Sequence, residues 1–132
     1  MPKVKVSFYL TGESIPFENL TEQLEVSPSS SRRKQDWPQP SILAGIAVDT
    51  WEYHTQKEDV LSVSTQLDKI EKVFGDKVEI IQTLIEKYSL KSSITILVET
   101  EYSDFPEMVL TKENLFFLAA IKAELGFDFY VD

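Results

Sequence analysis

Three successive cations in an acidic chain are the residues best suited to binding chemistry. Arg32, Arg33 and Lys34 follow Ser31 and precede Trp37. Guanidinium groups bind carboxylate or phosphate through paired hydrogen bonds, hydroxyls add donors, and an indole ring offers a stacking surface. The turn therefore predicts a site for an anionic ligand or an acidic peptide. The plainer interpretation is that these cations pair with acids of the protein's own surface.

Two aromatic residues after this turn would extend such a site. Trp51 and Tyr53 alternate with polar residues, so their side chains lie on one face of a predicted strand. Together with Phe8 of the first strand they would line a pocket. The alternative is that they belong to the core, where aromatic side chains of sheets are usually found. Trp51 is a candidate ligand-binding residue under the first interpretation only.

A second candidate site is acidic. Glu99, Glu101, Asp104 and Glu107 cluster between two predicted strands. Carboxylates grouped in this way bind a hard cation or meet a basic protein surface. The segment lacks the ligand spacing and the central glycine of an EF-hand loop, and acidic turns are usually only solvated. We predict no metal site and take these four residues as candidates for binding a basic partner.

The histidine content argues against the familiar enzyme classes. His54 is the only histidine and the chain has no cysteine, so a zinc site would need carboxylates for its remaining ligands. As a general base, His54 would be oriented by Glu52 on the same strand face. The sequence supplies no matched nucleophile, no phosphate-binding glycine loop and no metalloprotease motif. We predict no catalytic residue and no cofactor, while an enzyme of undescribed type stays open.

The charge balance restricts the classes of partner. With 22 acidic and 13 basic residues the net charge is −9, which opposes binding to nucleic-acid phosphates. The same charge suits a basic protein partner, whose approach it would accelerate, although acidity also serves solubility alone. No segment is apolar for long enough to span a bilayer, and we expect no cleaved leader before the first strand. We expect a soluble, cytoplasmic protein without a nucleic-acid or membrane partner, and the oligomeric state stays open.

Alternating residues at both ends of the chain predict the strands that hold these candidates. Apolar and polar side chains alternate from Lys3 to Leu10 and again from Phe127 to Val131. This period of two is typical of strands with one buried face, so we expect Phe8 and Phe129 to lie in one buried layer. Similar patterns predict strands near 51–54 and 93–99, with a short one at 108–110.

Between the strands, apolar residues recur every three or four positions and predict helices that cover the sheet. Asp59 is the expected cap of the clearest helix; Thr111 is that of the last helix, which Gly126 should end. The buried stripes of these two helices are predicted to be Val60, Val63, Leu67, Ile70 and Phe74, and Leu115, Leu118, Ile121 and Leu125.

The order of elements predicts an α+β fold, with a mainly antiparallel sheet and helices packed on one face, ferredoxin-like in style. A length of 132 residues suits a single domain spanning residues 1–132. Residues 27–48 combine a polar run with an apolar run and are expected to form an irregular insertion.

Several segments of the chain resemble a known bacterial family. They are the runs Ser7–Gly12 and Leu20–Pro28, the basic turn Ser31–Lys34, the strand residue Trp51, and the closing run Gly126–Val131. On these residues the sequence resembles the family catalogued as domain of unknown function 4279 over nearly its whole length. The resemblance implies a fold and a bacterial source, and it implies no activity.

The function expected from the sequence is non-enzymatic binding, most plausibly of a protein partner. Its specific form is an immunity-type protein whose acidic face blocks a basic toxin, because a negatively charged inhibitor can cover a positively charged cleft. One alternative is a binder of small anionic ligands that uses the turn Arg32–Lys34. The other is an enzyme centred on His54 and the acidic residues.

Overall fold

Strand β1 (Lys3–Gly12) lies at the centre of the sheet, because strands pair with it along both edges. The computed structural model describes all residues, 1–132. The other strands are β2 (Ser30–Arg32), β3 (Asp49–His54), β4 (Glu58–Asp59), β5 (Lys91–Thr100) and β6 (Ala123–Val131). They run in the order β2-β3-β1-β5-β6, with β4 also paired to β1. Every pairing is antiparallel except that of β5 with β6.

Five helices complete the fold. They are α1 (Phe17–Leu24), α2 (Gln39–Leu43), α3 (Val63–Phe74), α4 (Val78–Tyr88) and α5 (Lys112–Ala120). The α+β class and the mainly antiparallel sheet predicted from the sequence are confirmed, and the arrangement fits a ferredoxin-like style.

The segment 27–48 contains β2, a 3₁₀ turn at Lys34–Asp36 and the short helix α2. None of the helices combines the length and apolar content that crossing a bilayer requires.

The core forms between one face of the sheet and the helices above it. Alternate residues of β1, from Val4 to Leu10, are fully buried, as are Ile94, Ile96 and Val98 of β5. Phe74 of α3 packs edge-on against Phe8 with ring centroids 5.0 Å apart. Each fully buried side chain of this kind contributes about 1.5–3 kcal/mol. The opposite face of the sheet carries mainly polar side chains.

Helix α3 buries four of the five residues predicted for its stripe but begins later than expected, so Val60 precedes it. Val63, Leu67, Ile70 and Phe74 are fully buried. Asp59 lies in β4 and does not cap the helix; the cap is Ser62, whose hydroxyl accepts the N–H of Ser64 at 3.3 Å. The helix starts only after the chain has left the strand pairing with β1.

A glycine separates α3 from α4. A Cβ atom at Gly75 would lie 2.6 Å from the carbonyl oxygen of Glu71, so close that only glycine fits without movement of the backbone. The N–H of Gly75 donates to that carbonyl oxygen at 2.7 Å, and α4 begins at Val78. The segment from Val63 to Tyr88 therefore forms two separate helices.

Helix α5 is capped as predicted but ends earlier. Thr111 and Asn114 form a capping box, with Asn114 fully buried. Leu115 is 54% exposed and does not belong to an inner stripe. The helix ends at Ala120, so Gly126 lies within β6 and does not end a helix. No strand forms at 108–110; the preceding residue instead makes an isolated bridge with Ser62.

Strand β6 has the predicted face but not the predicted burial. Phe127 and Phe129 lie opposite Ile96 and Val98 of β5, on the same side of the sheet as the core. They are nevertheless 39% and 48% exposed, so the expectation that Phe129 shares a buried layer with Phe8 is wrong. Leu125, earlier in the strand, still packs against the core. The strand extends beyond the layer of helices that would cover it.

Candidate functional site

The basic turn is anchored by a buried carboxylate. Asp49, the first residue of β3, is only 3% exposed. Its Oδ2 accepts hydrogen bonds from the N–H of Ile15 and from Nη1 of Arg33, each at 3.0 Å. Its Oδ1 accepts one from the N–H of Lys34 at 2.8 Å. Asp49 therefore ties the turn to the loop that follows β1.

These hydrogen bonds set the charge state of the carboxylate. Burial by itself would raise the pKa of Asp49, because desolvation disfavours the charged form. The N–H groups of Ile15 and Lys34 and the guanidinium of Arg33 outweigh that effect, so the pKa of Asp49 lies below its ordinary value. Asp49 is ionised at neutral pH and Arg33 is its counter-ion. The charge of Arg33 is therefore already neutralised by Asp49 within the folded protein.

The other residues of the turn are also engaged with one another. Nζ of Lys34 lies 3.2 Å from the carboxylate of Glu13, and the guanidinium of Arg32 lies 4.1 Å from the centre of the Trp37 ring. Ser31 pairs through its backbone with β3. The structure therefore brings Ser31, Arg32, Arg33, Lys34 and Trp37 together, but only Arg32 among the three cations has no acidic partner. Binding of an anion at this turn stays a prediction.

The backbone of Trp51 pairs with that of Ser31, but its side chain lies within the core, away from the turn. Its side chain is fully buried, and its Nε1 donates to the hydroxyl of Thr21 at 3.2 Å. Its ring packs edge-on against Phe8 and Phe74, with centroids 6.4 and 6.3 Å away. A ligand bound at the turn cannot reach the indole, so this residue stabilises the fold.

His54 and Glu52 form a pair on the polar face of the sheet. Nδ1 of His54 lies 2.8 Å from a carboxylate oxygen of Glu52, as their spacing predicts. The hydroxyl of Ser29 accepts the backbone N–H of His54 at 3.0 Å and does not contact its ring. The contacts of His54 therefore orient its imidazole without supplying a nucleophile to it.

The predicted acidic cluster is only partly assembled. Glu99 and Glu101 line one shallow cavity of about 300 Å³ together with Asp132. Glu99 pairs with Lys57 at 2.8 Å, and Asp104 pairs with the amino group of Met1 at 2.9 Å.

The fourth member of the cluster lies elsewhere. The N–H of Glu107 donates to the carbonyl oxygen of Leu61 at 2.7 Å, which places Glu107 at the start of α3. Three of the four acidic candidates thus lie near the end of β6, and Glu101 makes no ion pair.

The exposed part of β6 is a feature that the sequence patterns missed. The rings of Phe127 and Phe129 stack with centroids 5.7 Å apart, and Phe105 lies 6.4 Å from Phe129. Phe105 and Val131 are 46% and 42% exposed. We call these four residues the β6 apolar patch. Large exposed apolar groups that contact one another are typical of interaction surfaces.

The largest concave surface lies between α4 and α5. This open cavity has a volume of about 1020 Å³. Its apolar lining comes from both helices and includes Ile80 and Phe116, and Phe116 is 78% exposed. Four carboxylates and a single lysine also line it. A ligand there would meet an apolar surface with a negative rim.

Comparison with known proteins gives one match. The family model described as Domain of unknown function (DUF4279) matches residues 2–132. Neither a curated protein nor a solved structure matches the chain. The match covers all the elements described above, from β1 to β6.

Proposed function

The chain belongs to the family described as Domain of unknown function (DUF4279), and we propose that it is a non-enzymatic domain that binds a basic protein partner at the edge strand β6. The observation that supports this proposal is the combination of an unpaired strand edge, exposed aromatic residues and an excess of acidic over basic residues at one place. The strand edge would supply backbone hydrogen bonds, the aromatic residues would supply apolar contact area, and the acidic residues would attract a basic partner.

The edge of β6 offers backbone hydrogen bonds. The strand pairs with β5 on one side only, and nothing pairs with its other side over nine residues. Natural edge strands are usually protected by being short, by proline or by inward-pointing charges. β6 is longer than a typical strand of about five or six residues and contains no proline. An extended segment of a partner can add to such an edge as a further strand.

The β6 apolar patch offers exposed apolar surface that a partner can bury. Phe127 and Phe129 expose 39% and 48% of their surface, which is roughly 170 Å² if each side chain has about 200 Å² in all. At about 25 cal/mol per Å², full coverage is worth about 4 kcal/mol. Even half of this would change affinity about 40-fold.

Charge selects the kind of partner. The two segments that meet at the C-terminal end of β6, 101–105 and 127–132, contain four acidic residues and no lysine, arginine or histidine. Asp128 and Asp132 lie on the polar face of the strand. A second copy of the chain would bring like charges together, which is unfavourable across paired strands. A segment that alternates apolar residues with lysine or arginine would complement both faces of β6.

The specific form of the proposal is an immunity-type inhibitor that acts in a bacterial cytoplasm. A basic toxin, such as one that must bind a polyanion, would be steered towards this end by the net charge of −9. Covering the toxin's basic surface would then prevent it from binding its own substrate. The charge and size of the domain support this form, and the identity of the partner decides it.

The test is affinity capture from cells of the source organism, followed by titration of the purified partner. We expect a basic partner whose affinity falls at least about tenfold between 0.05 and 0.5 M NaCl, because exposed charges are screened. The variant Phe127→Lys/Phe129→Lys should bind about 40-fold more weakly.

A matched control adds the same charge at exposed apolar residues elsewhere. Leu43 and Leu61 are 77% and 73% exposed, so Leu43→Lys/Leu61→Lys should bind as the unchanged protein does. Salt-independent affinity, or equal weakening by both double variants, would refute the proposal. If sedimentation shows that the chain self-associates, and if the β6 variant abolishes this association, the partner at β6 is a second copy of the chain.

A further inference from the structure

We infer that a cleft lined by lysine residues, at the edge of the sheet where β3 gives way to β4, binds a small anion carrying two or more phosphate groups. The cleft has a volume of about 750 Å³, within the range of about 300–1,000 Å³ for small-molecule sites. Lys5 of β1, Lys57 of the β3–β4 connection, and Lys69 and Lys72 of α3 line it. We call this site the lysine cleft.

The charge of the lysine cleft is opposite to that of the protein as a whole. Four of the 13 basic residues of the chain line it, against one of the 22 acidic residues, Glu58. Elsewhere acids outnumber bases by more than two to one. An anion that is repelled by most of the surface would therefore find one place where its charge is favoured.

Two of the four lysines are available without breaking an ion pair. Lys57 pairs with Glu99 at 2.8 Å, and Lys69 pairs with Glu58. Lys5 and Lys72 have no acidic partner. Unpaired cations that face one cleft repel each other, and an anion between them replaces this repulsion by attraction. This differs from the basic turn, where both Arg33 and Lys34 already pair with acids.

Other polar and apolar groups complete the lining. Ser29 and Gln56 present side chains that can donate hydrogen bonds, and His54 adds its imidazole. Tyr53 and Val73 provide an apolar wall. Two unpaired lysines supported by two paired ones can neutralise several charges, which suits a compound with two or more phosphates better than a monoanion. The lysine cleft lies on the other side of β1 from β6, and the ion pair between Lys57 and Glu99 is its link to the end of β6. The inference does not rest on the proposed partner.

The lysine cleft could not be predicted from the sequence because its residues are dispersed along the chain. Only Lys69 and Lys72, three positions apart on α3, share a helix face that could be recognised in advance. Lys5 belongs to a strand 64 residues earlier than Lys69, as their numbers show. Pairing of β1 with β3 and β4, and packing of α3 on β1, bring the four together.

The experiment is a calorimetric titration of the full chain with pyrophosphate, with inorganic phosphate as the probe of lower charge. Pyrophosphate should bind more tightly than phosphate, and its affinity should fall as NaCl is raised. An exposed charge pair changes affinity by about 1.5- to 5-fold. The variant Lys5→Gln/Lys72→Gln should therefore bind pyrophosphate on the order of tenfold more weakly.

The control variant is Lys87→Gln/Lys112→Gln, which changes the net charge equally but lies outside the lysine cleft. It should bind pyrophosphate as the unchanged protein does. Amide chemical-shift changes should map to residues near Lys5 and Lys72. Absence of binding at millimolar pyrophosphate, equal loss in both double variants, or shifts confined to the turn Arg32–Lys34 would each overturn the inference. Circular dichroism of both variants confirms that the comparison is made between folded proteins.

Discussion

Replacing Asp49 by asparagine tests whether the basic turn is part of the fold or a free binding element. The substitution preserves the shape of the side chain but removes its charge. Asp49 accepts hydrogen bonds from Ile15, Lys34 and Arg33, and an amide can accept at only one of its two positions. At least one of these donors must therefore lose its partner or face another donor.

The size of the effect follows from these contacts. A buried N–H left without an acceptor costs about 1–3 kcal/mol, and a hydrogen bond to a charged group contributes about 1.5–3 kcal/mol. Breaking a fully buried ion pair costs about 3–5 kcal/mol, but Arg33 is 44% exposed and can turn towards water. We expect Asp49→Asn to lower the free energy of unfolding by about 2–4 kcal/mol.

The effect should depend on pH with a definite sign. The pKa of Asp49 is lowered in the folded protein, so the ionised carboxylate stabilises the fold above its ordinary pKa of about 4. This contribution is lost as the pH falls through the lowered pKa, because the folded state must then take up a proton. The stability difference between the unchanged protein and Asp49→Asn should therefore narrow below about pH 4.

Urea unfolding followed by circular dichroism measures both quantities. Glu13→Gln is the matched control, because it removes a carboxylate that pairs with the same turn but is 83% exposed. It should change stability by less than about 1 kcal/mol. A loss below about 0.5 kcal/mol for Asp49→Asn would refute the reasoning, since a buried acceptor of three donors cannot be that dispensable. The turn would then be free to bind ligands.

Three further outcomes test the packing, a helix cap and the edge strand. Phe74→Ala should destabilise by about 3–5 kcal/mol in urea unfolding, because the ring packs against three aromatic neighbours; a loss under 1 kcal/mol would contradict that packing. Thr111→Ala should cost about 1 kcal/mol by the same assay, whereas Thr111→Ser should cost little. A nine-residue peptide alternating valine and lysine should bind the protein more tightly than one alternating valine and glutamate, and Phe129→Lys should remove the difference, as measured by fluorescence anisotropy. Equal binding of the two peptides would exclude charge as the selecting feature.

The sequence predicts the fold best where burial alone determines the pattern. Residues of β1 and β5 alternate because one face of each lies under helices, and α3 shows its stripe for the same reason. In α5 the pattern misleads, because apolar residues occur on all its sides and Leu115 is exposed. Alternation in β6 assigns the correct face to Phe129, but only the extent of the helix layer decides whether that face is covered.

The candidate sites were less predictable because they depend on contacts between distant parts of the chain. The basic turn is visible as a run of cations, but its anchor Asp49 is separated from Arg33 by 16 positions, and nothing in the sequence pairs them. The strand pattern leaves Trp51 either in a pocket or in the core. Burial and its hydrogen bond to Thr21 place it in the core.

The distribution of charge bears on how the two proposed sites affect each other. Lys57 of the lysine cleft pairs with Glu99 at 2.8 Å, and Glu99 lines the cavity beside the end of β6. Pyrophosphate that draws Lys57 into the cleft would leave Glu99 without its counter-ion, and an exposed ion pair of this kind contributes less than about 1 kcal/mol. Saturating pyrophosphate should therefore strengthen the affinity for a basic partner by less than about fivefold at 0.15 M salt. A larger change would mean that the sheet itself transmits the coupling, because one exposed ion pair cannot.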